Sequence, residues 1–359
     1  MQNLYNCICS ISVMLKEHGM KRVIAILFTA LMVAGIAVAD EEILIDFDQL
    51  NADFTITDPK IGDHQENQRT IMDFSIAAGS SFTDDEKALM KTSLAIKNWE
   101  VRLSSSSRTI FNQEYSLAKQ ARVREDAPET HFPGKYVMGI RIHFPMEMYN
   151  GWALIKPPFE IPAYQDKTTM GGDGKLVVAD EDKGKGNMFD NFGVVKNVGV
   201  LKSLDMHVHG LNFPHKVSVI LKNQANEEQE VILGHLQFDG WRKLHWDNPN
   251  YIIEVRNRDL RTYPLYPKTS PMIKLAGIRI YRDGMHEGDD FIGYIKDISV
   301  IFDKAQITTE RDIDDEAVWG IIQKREEARR IAEMRRLGNI QVLRYLETQK
   351  MHREDEEQQ

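Results

Sequence analysis

Val200-Leu201-Lys202-Ser203-Leu204-Asp205-Met206-His207-Val208-His209-Gly210 is the stretch that decides the fold. From Leu204 to His209 the side chains alternate, with Leu204, Met206 and Val208 set against Asp205, His207 and His209. A strand turns successive side chains to opposite faces, so a period of two marks one dry face and one wet face. Similar short runs lie on either side, at 99–103, 137–144, 217–221, 231–236, 273–281 and 295–302, and Ile43-Leu44-Ile45-Asp46-Phe47 precedes them all. They are rich in β-branched and aromatic residues and are parted by clusters of Gly, Pro, Asn and Asp, as in a chain built of strands and turns. Gly139-Ile140-Arg141-Ile142-His143 and Gly277-Ile278-Arg279-Ile280-Tyr281 echo each other and read as two similar strands, not as a duplicated domain.

Three segments interrupt the strands. Thr83-Asp84-Asp85-Glu86 is a capping box ahead of Ala88, Leu89 and Met90, which predicts a short helix there. Residues 166–191, rich in Gly, Lys and Asp, read as a long exposed loop with a brief strand at Leu176-Val177-Val178. Tyr263-Pro264-Leu265-Tyr266-Pro267, with Pro271 after it, must be extended, since proline cannot donate to a sheet ladder.

Beyond residue 304 the pattern changes. Residues 310–353 hold no proline and are dense in Glu, Arg, Ala, Ile and Leu. Val318, Ile321, Ala328, Ile331 and Met334 fall on one helical face, and Glu326 with Arg330 forms an i,i+4 pair. Gly338-Asn339 predicts a stop, with Ile340, Leu343 and Leu346 on a second short helix. The chain is therefore expected to be mainly β, a β-sandwich of jelly-roll or carbohydrate-binding-module-like type, with a C-terminal α-helical segment. Its boundaries are a sandwich at 40–305 and a charged helical tail at 306–359.

Residues 1–39 do not belong with the rest. Met20-Lys21-Arg22 is a basic start, an apolar run covers 23–34, and Ala37-Val38-Ala39 offers small residues before Asp40. That is a secretory signal peptide with cleavage after Ala39, and it places the true start of translation at Met20. The apolar run is shorter than the roughly 20 residues that span a bilayer, so stable membrane insertion is not expected. Cys7 and Cys9 both lie in this leader, so the mature chain has no thiol and must rest on its core. The leader also holds Lys16, Lys21, Arg22 and Glu17; of 45 basic and 54 acidic residues, 42 and 53 then remain, a net charge of −11. An acidic body argues against nucleic acid as a partner.

Catalytic signatures are absent. There is no G-x-S-x-G, no H-E-x-x-H, no phosphate-binding G-x-x-x-x-G-K and no G-x-G-x-x-G between strand and helix. The chain therefore reads as a non-enzyme. Asp205, His207 and His209 share a strand face and could hold zinc or copper, against the plainer reading of a polar face. Asp180, Asp182 and Asp190 with Gly184 and Gly186 offer a structural calcium loop, but Lys185 stands where an EF-hand needs glycine, and a solvated loop is the simpler reading. No other cofactor is called for. Trp241 and Trp246 could stack on a sugar, yet five residues apart on a strand they face opposite ways, which gives one of them to the core. Lys324, Arg325, Arg329, Arg330, Arg335 and Arg336 make a basic face on the tail, suited to an acidic neighbouring subunit or simply solvated.

Several longer segments, in order, resemble the spirochaete flagellar filament outer layer (sheath) proteins of FlaA type. They are the start at Ile43, Lys91-Thr92-Ser93-Leu94-Ala95-Ile96-Lys97-Asn98-Trp99-Glu100, the stretch from Gly139 to Pro145, and Trp152-Ala153-Leu154-Ile155-Lys156-Pro157-Pro158-Phe159-Glu160-Ile161-Pro162. Phe238-Asp239-Gly240-Trp241-Arg242, Asn248-Pro249-Asn250-Tyr251-Ile252 and Arg261-Thr262-Tyr263-Pro264-Leu265-Tyr266-Pro267 continue it. The resemblance implies a structural subunit on a periplasmic flagellum that coats a core of flagellins and supports filament shape, stiffness and motility. It implies partners in the subunit itself, other sheath subunits and the core flagellins. The alternative from the residues is a secreted carbohydrate-binding β-sandwich module.

Overall fold

The computed structural model describes residues 40–50, 70–74, 83, 90–164, 169–170, 176–177, 189–259, 271–287, 290–305, 313 and 315–357. The leader, the helix expected after Thr83, the calcium-loop residues Asp180 and Asp182, and the proline connector at 263–267 lie outside them. Glu41–Gln359 form one compact unit, distinct from Met1–Asp40.

Sixteen strands appear among the described residues: β1 Asp40–Asp46, β2 Ile71–Asp73, β3 Lys91–Ser93, β4 Glu100–Leu103, β5 Leu117–Arg122, β6 Tyr136–His143, β7 Trp152–Lys156 and β8 Thr169–Met170, then β9 Leu176–Val177, β10 Val194–Lys196, β11 Val198–Leu211, β12 Lys216–Asn223, β13 Glu228–His235, β14 Asp239–Asp247, β15 Met272–Tyr281 and β16 Asp290–Lys304. Four α-helices accompany them: α1 Ile110–Tyr115, α2 Tyr251–Asp259, α3 Asp315–Trp319 and α4 Ile321–Glu357.

Two six-stranded sheets carry the fold. The first runs β14-β11-β16-β6-β5, with β1 also on β16; the second runs β13-β12-β15-β7-β4, with β10 also on β15. The ladders with registered pairs in both sheets are antiparallel. The deciding stretch is β11, near the centre of the first sheet. Leu204, Met206 and Val208 are buried toward the second sheet, together with Met138, Ile140, Ile142, Ile298, Val300 and Phe302. Val217, Val219, Leu221, Ile278, Ile280, Ala153 and Ile155 complete the core. Each such aliphatic side chain contributes about 1.5–3 kcal/mol when fully withdrawn from water. The two echoing strands, β6 and β15, fall in different sheets, and their arginines both face outward: Arg141 pairs with Asp290 and Arg279 with Glu230. The sandwich is thus the mainly β architecture the alternation predicts.

At the free edge of the second sheet, α1 closes over β4. Thr109 caps α1 by accepting from the Asn112 N–H at 3.1 Å. This turn aims Gln113 at the strand: its amide donates to the Val101 carbonyl and accepts from the Leu103 N–H. The segment from β3 to β4 is held by Trp99, whose indole donates to the Leu94 carbonyl at 2.8 Å while its ring meets Phe47 edge-on at 5.3 Å.

His215, just before β12, is 1% exposed and sits among the rings of Phe144, Phe213, His286 and Phe291. Burial, with His286 and Arg282 adding repulsion, pushes its pKa from 6.5 down to about 4. It is neutral at pH 7, and its Nδ1 accepts from the Asp283 N–H at 3.3 Å. The unfolded chain binds this proton more readily, so the contribution is whole above about pH 6.5 and fades as pH falls toward 4. Denaturant titrations across that window should lose up to about 3 kcal/mol through His215, a share of the slope that His215→Phe should remove.

The tail departs from expectation. Instead of stopping at Gly338-Asn339, α4 runs unbroken from Ile321 to Glu357. Gly338 is buried beside Leu337 within the helix. The stop falls earlier, at Gly320 between α3 and α4, with φ +56°.

Candidate interaction surfaces

The docked face of α4 is charged. Arg336 makes a two-pronged pair with Glu160, at 2.9 and 3.1 Å, just after β7. Lys274 of β15 is 2% exposed and donates to Glu333 at 2.7 Å, with Glu160 at 3.6 Å. Lys222 of β12 also lies 3.7 Å from Glu160. Burial alone would raise the Glu160 pKa, but Arg336, Lys274 and Lys222 overcome it and hold the carboxyl at about 2. Farther along, Arg344 pairs with Glu100 of β4 and donates to the Pro158 carbonyl at 2.9 Å. Among the described residues, the apolar side chains of α4 that pack against the core are Leu337, Met334 and Val342. The apolar face expected from spacing is docked only in part: Met334 packs against the core, whereas Val318, Ala328 and Ile331 are exposed. The second sheet offers charge at this point, and the helix turns its ion-pairing side to it.

This geometry divides the basic cluster. Arg336 straps the helix down, Arg329 donates to the Gln224 carbonyl at 3.0 Å, and Arg330 lies 3.7 Å from Glu327. Lys324, Arg325 and Arg335 face outward. Sequence reasoning missed Glu160, since its partner Arg336 is 176 residues away.

On the outer face of the first sheet, Asp205, His207 and His209 do lie side by side, but each has different company. Asp205 is 2% exposed and accepts from Lys243 at 2.9 Å and His245 at 2.5 Å. The hydrogen bond to Asp205 raises the His245 pKa, with Asp247 helping. His207 pairs with Asp297 at 2.7 Å, and His209 meets Trp241 and Tyr294 edge-on. Among the described residues, no group of three His, Cys, Asp or Glu is placed to hold a metal ion. Phe132, in the left-handed region at φ 58°, packs against both His207 and Trp241. Trp241 is therefore on the outer face, and Trp246 packs against the core.

The second sheet's outer face also carries aromatic rings. Trp152 of β7 and Tyr281 of β15 lie there, with the Arg279 guanidinium over both rings and the Lys216 ammonium 4.9 Å from the Tyr281 centroid. A cleft of about 600 Å³ includes Trp152, Tyr281, Lys216, His235 and Asp283. A second, of about 390 Å³ beside β4, includes Arg102, Arg108, Gln113, Trp152 and Leu154. The Glu100-Val101-Arg102-Leu103 alternation was the sequence signal for this wet face, though nothing in it singled out the cleft. No helix among the described residues is long and apolar enough to cross a membrane.

These features define an antiparallel β-sandwich with a helix strapped across one sheet and grooved, charged outer faces. A family model described as flagellar filament outer layer protein Flaa matches residues 63–311. The flagellar filament outer layer protein of Spirochaeta aurantia is 47% identical over 336 residues, covering 93% of this chain and 94% of that one. That of Treponema pallidum (strain Nichols) is 43% identical over 335 residues, covering 92% and 95%. The chain belongs to the flagellar filament outer layer protein family. Among solved structures, a carbohydrate-binding module in complex with β-1,4-galactotriose aligns at TM-score 0.26 and 10% identity, over 58% of this chain and 90% of that one. The family 11 carbohydrate-binding module of a Clostridium thermocellum cellulase aligns at 0.24 and 7%, over 60% and 91%.

Proposed function

We propose that the chain is a structural subunit of the outer layer of a periplasmic flagellar filament. Exported by its leader, it coats a core of flagellins and supports the filament's shape, stiffness and the cell's motility. The observation that carries this reading is 47% identity across 94% of a protein named for that layer. The physical form suits the task. A coat subunit needs a rigid body and outer faces that can meet copies and companions, and both sheets supply such faces. The role asks for no chemistry, and no pair of reactive groups is required by it. Gently isolated filaments labelled with gold-tagged antibody should carry the protein along their length, and deletion should alter filament curvature and swimming. Recovery of the protein only as a soluble monomer, with filaments and motility unchanged by deletion, would refute the reading.

A further inference from the structure

Among the described residues, three cations on the outer face of the second sheet have no carboxylate within ion-pair distance: Arg102 and Arg108, which share the 390 Å³ cleft, and Lys156, next to them on β7. The nearest acid, Glu100, is taken by Arg344 of α4. Lys156 feels the surplus: burial first, then Arg102, Arg344 and Lys222, lower its pKa. In a chain with a net charge of −9, an unbalanced cluster of this kind stands out. It is a ready site for carboxylates.

The same chain carries the complement. The last turn of α4 is Glu354-Asp355-Glu356-Glu357, with no basic residue in it. Four carboxylates in a row at the negative end of the macrodipole make this tip strongly acidic, just beyond Lys350 and Arg353. It cannot serve its own cleft. Contacts of α4 pass from the β12–β13 turn through Lys274 of β15 and Glu160 after β7 to Glu100 of β4, the edge strand. Beyond Arg344 the helix continues unbroken, so its acidic end stands about 15–20 Å past the edge of the sheet. Arg102 lies back on the strand, two residues from Glu100.

We propose that the cleft beside β4, with Arg102, Arg108 and neighbouring Lys156, receives the acidic C-terminal end of α4 from a second copy of the chain. The two surfaces differ, so a head-to-tail contact between them extends into an open array wherever its rotation does not close a ring. The inference rests on the outer-layer reading for its purpose and on charge and geometry for its site.

Sedimentation velocity on the purified protein tests it. The unaltered protein should self-associate with concentration and dissociate as salt rises. The pair Arg102→Glu and Arg108→Glu should weaken self-association at least tenfold, as should Glu354→Lys, Asp355→Lys, Glu356→Lys and Glu357→Lys together. All six changes in one chain should restore it. Both sets lie on exposed or terminal positions, and circular dichroism checks that each variant folds. An unaltered protein that stays monomeric, reversals without effect, or no rescue in the combined variant each overturn the contact. Pelleting with isolated filaments separates the two claims. If the unaltered protein pellets but the reversals change nothing, this contact fails and the coat role stands. If it does not pellet at all, the coat role fails.

Discussion

Glu160→Ala is expected to release α4 from the sandwich and to lower stability by about 2–4 kcal/mol, a little under the cost of removing one member of a fully buried pair because the Glu160 side chain is 21% exposed. The loss is large because one carboxylate answers three cations. Arg336 would lose a two-pronged partner and keep only the longer contact to Glu333 at 3.8 Å, Lys222 would keep Glu228, and Lys274 would keep Glu333 and the Asn226 side-chain oxygen. Brief proteolysis should then cut α4 ahead of the sandwich, and denaturant unfolding should report the lost free energy. Acid should mimic the change. The Glu160 pKa is lowered in the fold from 4.5 to about 2, so its contribution is complete above about pH 4.5 and disappears as pH falls toward 2. Helix release that is indifferent to this residue would mean that Leu337 and its apolar neighbours hold α4 unaided.

Trp99→Ala carries the other large effect, about 3–5 kcal/mol for deleting a buried aromatic ring. Trp99 is 4% exposed, its ring supports Phe47 after β1, and its indole satisfies the Leu94 carbonyl. The start of the sandwich and the entry to β4 should loosen together, visible as lost amide protection around Phe47 and Leu94 in hydrogen exchange. Trp99→Phe keeps a ring and removes only the donor, at about 1–3 kcal/mol for the orphaned carbonyl. Equal losses in the two variants would assign the effect to the hydrogen bond, not to packing.

The strands were legible where one face is dry and the other wet. β11, β12, β15 and β16 announce themselves, because central strands of a sandwich must bury a full apolar face. β5 did not: Leu-Ala-Lys-Gln-Ala-Arg buries only Ala118, as an edge strand can. α1 and α2 are too short for a helical period to show. Gly338 was a local stop signal that the helix runs through, its next turns being tied down by Arg344 to Glu100 and the Pro158 carbonyl, which no window of sequence reveals. The surfaces were less legible still. A run of arginines in the tail is visible, but which of them are spent inside the subunit depends on Glu160 and Gln224, far off in the chain. The opposite facing of Trp241 and Trp246 follows from strand parity alone; that Phe132 would cover the former does not.

Coat proteins face a hazard that dilute proteins escape: many identical sheet borders held shoulder to shoulder. The Gln113 amide fills the donor and acceptor that an incoming strand would seek on β4, so crowded copies have no backbone ladder to extend there. Neighbours are left to meet through side chains, which let go and take hold again as a turning filament flexes. A continuous amyloid-like ribbon could do neither.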